Sequence, residues 1–304
     1  MPKTIAVGAT HPGTVRSHNE DAFFLVDEVV LGLSADSQSR SIHTSIPIQF
    51  YAVADGMGGR GIGDAAAAAA LAELEVARKQ IRYPARFDFQ LFAHDYLLRA
   101  GEAVFKTIAP SQGLYAGTAL TLLCLTHDSA YVLSLGNCRC YRLRGGQLTR
   151  LTEDDVFTDT TPHRLSRYLG HQVDPHQSEP AQVRRYSIQQ EDLFLLATDG
   201  LTEPVSEATI MELLLAPGAF AFKPGALMNL ALDQEARDNL TLILIRVLDL
   251  AEEETQSRPA ASPVRHRRNA RNLVKYRLFR AFAILATSIL TGFVAGWLLL
   301  TIFF

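Results

Sequence analysis

Residues 50–59 read FYAVADGMGG, an apolar run that ends in an aspartate and continues into a glycine-rich segment. Aromatic and β-branched residues in a short run are typical of a buried strand, and the Asp55-Gly56 pair marks its end. Glycine beside the aspartate allows backbone or ligand atoms to approach closely. A single Asp-Gly pair is also typical of an ordinary turn, so its meaning depends on whether the pattern recurs.

The same pattern, a short strand with a carboxylate at its end, occurs at three further places. Asp199-Gly200 ends the run LFLLATD, and Asp238-Asn239 precedes the run LTLILIRVL. Glu20-Asp21 precedes AFFLV, with Arg16 four residues before Glu20. Rigid carboxylates at strand ends are typical ligands of hard divalent cations, and arginine suits bidentate contact with phosphate. Together these residues predict a metal centre that handles a phosphate group.

The first 250 residues contain eight runs with the composition of strands and three with that of helices. A turn signal, Gly145-Gly146, lies between CYRLR and QLTRLT and marks a hairpin. Consecutive strands with a pair of helices grouped together predict an α+β layered domain. The predicted strands are TIAVGA, DAFFLV, FYAVAD, ALTLLCL, AYVLSLG, CYRL, LFLLATD and NLTLILIRVL, and the predicted helices cover residues 65–81, 88–108 and 207–215.

Charge is distributed unevenly along the chain. Residues 251–304 hold eight basic and three acidic side chains, whereas residues 1–250 hold 21 basic and 29 acidic ones, a net charge of −8. An acidic body is a poor match for nucleic acid, which needs a concentrated positive field, but it suits a protein that collects cations. Three cysteines, an odd number, and an N-terminus without a signal peptide predict a reduced, cytosolic body.

The last 24 residues, AFAILATSILTGFVAGWLLLTIFF, contain no charged side chain. About 20 apolar residues suffice for a helix to cross a bilayer, and the positive-inside bias keeps a preceding basic cluster cytoplasmic. We therefore expect residues 1–250 to form a cytoplasmic domain, residues 251–277 a polar and then basic linker, and residues 278–304 a single transmembrane helix in the cell membrane. The basic cluster consists of Arg265, Arg267, Arg268, Arg271, Lys275, Arg277 and Arg280.

Small residues recur every four positions within the predicted span, at Ser288, Gly292 and Gly296. This spacing lets two helices approach closely and offers a face for a homodimer. Glycine is also common in transmembrane helices, and the spacing often arises by chance, so both interpretations stay open.

Six segments of the body carry a resemblance to a known family. They occur in the family's order over residues 5–247, and the chain resembles the metal-dependent PPM-type (2C-type) serine/threonine protein phosphatases in their bacterial form. The segments are GTVRSHNED (13–21), ADGMGG (54–59), GTALT (117–121), SLGNCR (134–139), LLATDGL (195–201) and RDNLTL (237–242).

The resemblance implies a four-layer α-β-β-α sandwich of two antiparallel sheets flanked by helices, with two Mn²⁺ or Mg²⁺ ions at one edge. It assigns Asp55 to both ions, the Gly56 carbonyl to one, and Asp199 and Asp238 to the other. Glu20 and Asp21 act on the metal-bound waters, and Arg16 binds the substrate phosphate. The implied reaction is hydrolysis of phosphoserine or phosphothreonine on proteins by direct attack of a water that bridges the ions. The partners are then phosphorylated proteins, among them substrates of membrane serine/threonine kinases, together with membrane lipid.

One position departs from the family pattern. The family usually has G-D-S-R where this chain has Gly136-Asn137-Cys138-Arg139, and the missing aspartate helps to bind a third metal ion in the family. Because a neutral amide oxygen is a poorer ligand for a hard dication, Asn137 puts a third ion in question. It also leaves an alternative open, a catalytically weak or inactive membrane-tethered module that binds phosphoproteins on the same fold.

Other kinds of active site match the sequence less well. Cys138 and Arg144 have the C-x5-R spacing of cysteine-dependent phosphatases, but their segment has the composition of a strand, which would separate them by about 20 Å. No H-E-x-x-H pair indicates a zinc hydrolase and no G-x-S-x-G motif a serine hydrolase. Cys138 and Cys140 are expected to be packing residues.

Overall fold

Two strands at the centre of the fold are buried along nearly their whole length. A computed structural model of the chain describes residues 1–32, 37–59, 61–109, 115–157, 164–170 and 181–250. In it FYAVAD forms part of a strand over Gln49–Met57, and ALTLLCL forms part of a strand over Gly117–Leu125. All nine residues of the second strand are buried, which requires a packed layer on each face of its sheet.

The strands form two antiparallel sheets with six strands each. In chain order the strands are β1 (Pro2–His11), β2 (Asp21–Leu25), β3 (Glu28–Leu31), β4 (Gln38–Thr44), β5 (Gln49–Met57), β6 (Gly117–Leu125), β7 (Ser129–Leu135), β8 (Arg139–Arg144), β9 (Gln147–Arg150), β10 (Gln182–Ser187), β11 (Leu193–Ala197) and β12 (Leu240–Leu250). The first sheet has the order β4-β1-β12-β11-β8-β9, and the second has the order β10-β7-β6-β5-β2-β3.

The two sheets pack face to face around an apolar layer. Phe23, Tyr51 and Ile243 are fully buried within it. A Cβ atom at Gly8 would lie 2.5 Å from the Phe23 ring, so glycine in β1 makes the space that this ring occupies. Burial of large side chains on the facing sides of both sheets supplies the main stabilisation of such a sandwich.

Helices cover the outer face of each sheet. Helix α1 (Gly63–Lys79) and helix α2 (Phe89–Ile108) pack on the sheet that contains β5. Three short helices pack on the other sheet: α3 (Asp199–Thr202), α4 (Glu207–Leu215) and α5 (Lys223–Asp233). The alanine run of α1 lets it lie close to the sheet, because the alanine side chains that face inward are small and fully buried.

The predicted α+β sandwich with four layers is confirmed. All eight predicted strands, the three predicted helices and the Gly145-Gly146 hairpin are present. The prediction missed β3, β4, β10, α3 and α5. Strands β4 and β10 are edge strands with the sequences QSRSIHT and QVRRYS, and polar residues on an edge prevent pairing with other chains. The same residues remove the apolar alternation by which a strand is recognised in a sequence.

None of the helices in the described ranges is long and apolar enough to cross a membrane. The predicted linker at 251–277 and the predicted transmembrane helix at 278–304 lie outside the residues that the structure describes. The same holds for Ser288, Gly292 and Gly296.

Candidate metal centre

Four strand ends bring carboxylates together at one edge of the sandwich. Asp21, the first residue of β2, pairs across the sheet with Asp55 near the end of β5. Asp199 follows the end of β11, and Asp238 precedes the start of the neighbouring strand β12. The hydroxyl of Thr198 donates a hydrogen bond to Asp21 Oδ2 at 2.9 Å and so connects the two sheets at this edge.

Glycine follows Asp55 because the backbone passes too close to its neighbours for a side chain. A Cβ atom at Gly56 would lie 2.1 Å from the Gly63 carbonyl oxygen at the start of α1. The Gly56 N–H donates to the Glu20 carbonyl oxygen at 3.2 Å. This contact holds Glu20 at the same edge as Asp55.

Negative charge dominates the electrostatics of this edge. Burial, followed by repulsion from the carboxylates of Asp199, Asp21 and Asp238, raises the pKa of Asp55 well above its usual value. Burial also raises the pKa of Asp21, to about 8. The pKa of Glu20 is raised as well, again mainly by burial. Carboxylates this close together at a partly buried edge need protons or cations to balance them.

Arg16 is a cation in direct contact with this cluster. Its Nη2 donates to Asp238 Oδ2 at 2.8 Å, yet 56% of its side chain stays exposed. The hydrogen bond to Asp238 and the charge of that carboxylate raise the pKa of the guanidinium. Arg16 and Asp238 line a cavity of about 420 Å³ together with Val15, Gly200, Glu203, Pro204, Glu235, Ala236 and Arg237.

Asn137 contacts the cluster from the turn between β7 and β8. Its Nδ2 donates to Asp199 Oδ2 at 2.7 Å, while its Oδ1 is buried and has no hydrogen-bond partner within the described part of the chain. The turn is fixed on its other side, since the Gly136 N–H donates to Asp155 Oδ2 at 3.0 Å. Gly136 has a φ of +94°, which favours glycine.

Asn239 lies at the site, but its structural role was not predicted from the sequence. Its Oδ1 accepts a hydrogen bond from the Glu20 N–H at 2.8 Å, and its Nδ2 donates to the carbonyl oxygens of Pro12 and His18, each at 2.9 Å. One amide thus holds the loop that carries Arg16 and Glu20 against the start of β12. The sequence shows Asn239 directly after Asp238. Its hydrogen-bond partners could not be predicted, because they are more than 200 residues away along the chain.

The chemistry of these donors fits a hard divalent cation. The side chains of Asp21, Asp55, Asp199 and Asp238 offer carboxylate oxygens, which Mn²⁺ and Mg²⁺ prefer. Within the described ranges no three acidic, histidine or cysteine side chains already surround a common point. Asp238 and Asp199 are instead hydrogen-bonded to Arg16 and Asn137. The raised pKa of Asp55 is a cost that a bound cation would remove.

The cysteines have the environment of packing residues. Cys138 and Cys140 are buried in the layer between the sheets, and burial raises the pKa of both thiols. Arg144 lies at the opposite end of β8 and forms an ion pair with Asp192. This arrangement excludes the phosphate loop that a C-x5-R site requires.

The raised pKa of Asp21 predicts how pH affects the metal-free protein. Folded Asp21 keeps its proton up to about pH 8, whereas an unfolded aspartate releases it near pH 4. The folded state therefore binds more protons between these values, and its stability falls as pH rises through this window. We expect EDTA-treated protein to melt at a lower temperature at pH 8 than at pH 5.5, with a smaller difference in Asp21→Asn.

Circular dichroism melts of the full chain in detergent measure this difference. Asp27→Asn is the matched control, because Asp27 is an exposed carboxylate on the adjacent turn. The same pH dependence in Asp21→Asn and the wild type would contradict the assignment.

The chain is similar to known proteins in sequence and in fold. No protein-family model matches the chain. The serine/threonine protein phosphatase PstP of Mycobacterium tuberculosis is 31% identical over 223 residues, which cover 68% of this chain and 42% of PstP. The chain therefore spans about two fifths of the length of PstP. The phosphatase Stp of Listeria monocytogenes is 26% identical over 260 residues, which cover 78% of this chain and 93% of Stp.

Solved structures show the same fold. The catalytic domain of PstP in complex with two manganese ions superposes with a TM-score of 0.64 at 25% identity, covering 81% of this chain and 100% of that one. PppA, a regulatory component of the T6SS in Pseudomonas aeruginosa, has a TM-score of 0.63 at 23% identity, covering 81% and 98%, and shows the fold alone.

The relatives share the fold described above. Sequence similarity to PstP and Stp extends over most of the body, and the PstP structure shares the fold and holds two metal ions. The chain is similar in sequence and in fold to PPM-type serine/threonine protein phosphatases.

Proposed function

We propose that this chain hydrolyses phosphoserine and phosphothreonine on proteins, with two Mn²⁺ or Mg²⁺ ions, at the cytoplasmic face of a membrane. The observation that carries the proposal is the carboxylate cluster at the ends of β2, β5, β11 and β12, buried at Asp21 and half-buried at its other members, with an arginine beside it. A cluster of this kind destabilises the protein unless it binds cations, so its presence favours a catalytic use.

Each residue at the edge has a part in this proposal. Asp55 would contact both ions and the Gly56 carbonyl one of them, whereas Asp199 and Asp238 would hold the other. When bound, two such ions lower the pKa of a water molecule and offset charge that develops on the phosphoryl group. Glu20 and Asp21 would hold and accept protons at the same edge, since burial already favours their protonated forms.

Arg16 is placed to bind the phosphate of the substrate. Its guanidinium lies on the solvent side of the cluster, beside the cavity of about 420 Å³. Planar guanidinium groups bind phosphate through two parallel hydrogen bonds. The phosphate would then take the place of Asp238 as the main partner of Arg16.

The alternative is a binding module that has lost catalysis. Asn137 is the observation in its favour, because the family pattern has an aspartate at this position. Arg16, Asp55, Asp199 and Asp238 are all retained and brought to one edge. Loss of catalysis would remove the need to keep them, so the enzyme is the better supported proposal.

Hydrolysis of p-nitrophenyl phosphate distinguishes the active phosphatase from the binding module. The wild type should hydrolyse it only when Mn²⁺ or Mg²⁺ is present, and Asp199→Ala should lower kcat by at least about 100-fold, because the loss of one electrostatic contact in a transition state has this order of effect. Asp192→Ala is the control. It removes an aspartate at the opposite end of β11 from Asp199, and the folded variant should keep the activity of the wild type. An inactive wild type with bound metal would favour the binding module.

We also propose that the centre works with two ions and no third. The amide of Asn137 already donates to one oxygen of Asp199, and an amide carries no charge that would call for a further cation. An aspartate at this position would bring a like charge within about 3 Å of Asp199, which a cation between them would relieve.

Asn137→Asp should therefore gain a metal ion. Calorimetric titration with Mn²⁺ should show about two ions in the wild type and three in this variant, the third bound more weakly. Both the rate and the Mn²⁺ dependence of hydrolysis should change with it. Asn137→Ala removes the same amide without adding a charge, so it should stay at two ions. An Asn137→Asp variant with unchanged rate and Mn²⁺ dependence would refute the proposal.

The membrane tether is proposed from the sequence and is compatible with the fold. Strand β12 starts beside Asp238 and runs for 11 residues, about 36 Å, so Leu250 lies at the opposite end of the sandwich from the carboxylates. The tether at residues 251–277 and the transmembrane helix at 278–304 are proposed from the uncharged tail and the basic cluster before it. Phosphorylated proteins near the membrane, among them targets of membrane kinases, would be the substrates.

Cell fractionation tests the tether. We expect the full chain in the membrane fraction, and a variant ending at Leu250 in the soluble fraction with its p-nitrophenyl phosphatase activity retained. Leu290→Arg places a charge in the middle of the span, which costs about 3 kcal/mol, and should weaken membrane retention. Full-length protein in the soluble fraction would disprove the anchor.

Cysteine crosslinking along the predicted span tests the homodimer. If the dimer forms through the small residues, cysteines placed at Ser288, Gly292 and Gly296 should crosslink more efficiently than cysteines on the other faces of the helix.

A further inference from the structure

An exposed arginine outside the carboxylate cluster is held between two aromatic rings. The Arg164 guanidinium carbon lies 5.4 Å from the centre of the Phe157 ring and 6.0 Å from that of Tyr115. Both rings are partly exposed, at 42% and 41%. Arg164 forms no ion pair or hydrogen bond through its side chain with any residue that the structure describes.

The lack of an ion pair among the described residues distinguishes Arg164 from nearby arginines. Arg167 pairs with Asp155, Arg139 with Asp154, and Arg184 with Glu153. An aromatic face attracts a guanidinium and limits its rotation, yet it does not neutralise the charge. Among the described residues, Arg164 therefore keeps its hydrogen-bond donors available for an anion.

The backbone around Arg164 is firmly attached to the domain. The Tyr115 hydroxyl donates to the Leu165 carbonyl oxygen at 2.7 Å, and the Phe157 N–H donates to the Arg164 carbonyl oxygen at 3.0 Å. The Leu165 side chain is buried in the layer between the sheets. The backbone position of Arg164 is thus fixed by these two hydrogen bonds and by the buried side chain of Leu165.

Thr118 and Leu169 connect the segments that carry Tyr115 and Arg164 to the carboxylate edge. Thr118 exchanges backbone hydrogen bonds with Leu169, pairs with Gly56 across the sheet, and donates its hydroxyl to the Asp55 carbonyl oxygen at 2.9 Å. Tyr115 precedes Thr118 by three residues, which corresponds to about 10 Å of extended chain. A peptide residue two or three positions from a phosphoresidue at the metal centre lies at a similar distance.

We propose that Arg164, positioned by Tyr115 and Phe157, is a second substrate contact that binds an acidic side chain near the phosphoresidue of the protein substrate. The inference rests on the proposed phosphatase activity, and it adds a preference for acidic flanking sequence. Arg16 binds the phosphate at the carboxylate edge, whereas Arg164 binds a carboxylate of the same substrate at the rim.

Phosphopeptides that differ at one position test this contact in the full chain. We would compare peptides with glutamate or alanine three residues before the phosphothreonine, and the same pair with the substitution three residues after it. With Mn²⁺ present, the glutamate peptide of one pair should have a kcat/KM about threefold to fivefold higher, through KM, as expected for a part-exposed charge pair. Arg164→Gln should abolish the difference and leave hydrolysis of p-nitrophenyl phosphate unchanged.

Arg86→Gln is the matched control, because Arg86 is exposed and follows α1 at the end away from the metal centre. It should keep the preference for glutamate. Equal kcat/KM values for both members of each pair in the wild type would overturn the inference, as would a preference that survives Arg164→Gln. If no substrate is hydrolysed, the proposed activity fails instead. Fluorescence anisotropy of the labelled peptides then decides the contact, since only an intact Arg164 site binds the glutamate peptide more tightly.

Discussion

Repulsion among buried and half-buried carboxylates at one edge is the constraint on which the rest of this structure depends. Asp21 and Asp55 are adjacent on neighbouring strands, and the pKa of each is raised, first by burial and then by the other carboxylates. Such a cluster is unfavourable for folding unless something balances it. Among the described residues, the neutral or positive donors to the cluster include the Thr198 hydroxyl, the Arg16 guanidinium and the Asn137 amide.

The frame around the cluster explains how the unfavourable charges are held in place. Hydrophobic burial between the sheets fixes the four strands, and their ends fix the carboxylates. Two polar contacts then join elements that the core alone leaves separate. Thr198 connects the sheets through Asp21, and Asn239 attaches the loop of Arg16 and Glu20 to β12. Because buried hydrogen bonds are costly to leave unpaired, these residues stabilise the edge as well as shape it.

The sequence predicted the parts of the molecule that follow from local composition. Buried strands such as FYAVAD are apolar up to a final aspartate, and the aspartates at strand ends are adjacent to glycine or asparagine, so both the sandwich and the carboxylate edge could be predicted. The polar edge strands β4 and β10 lack an apolar pattern and were missed. The partners of Asn137 and Asn239 could not be predicted either, because these hydrogen bonds join residues 62 and more than 200 positions apart.

Asn137 stands where the family pattern has an aspartate. This difference changes the charge of the carboxylate edge more than it affects whether the edge can bind metal ions. An aspartate there would add another carboxylate to a cluster whose members already repel one another. The amide removes that charge and still holds Asp199 through its N–H at 2.7 Å. With one negative charge fewer, the edge needs less positive charge to be balanced. The same substitution that casts doubt on a third ion therefore makes a centre with two ions more nearly neutral, and neutrality is what allows a dry, rigid site to persist in the folded protein.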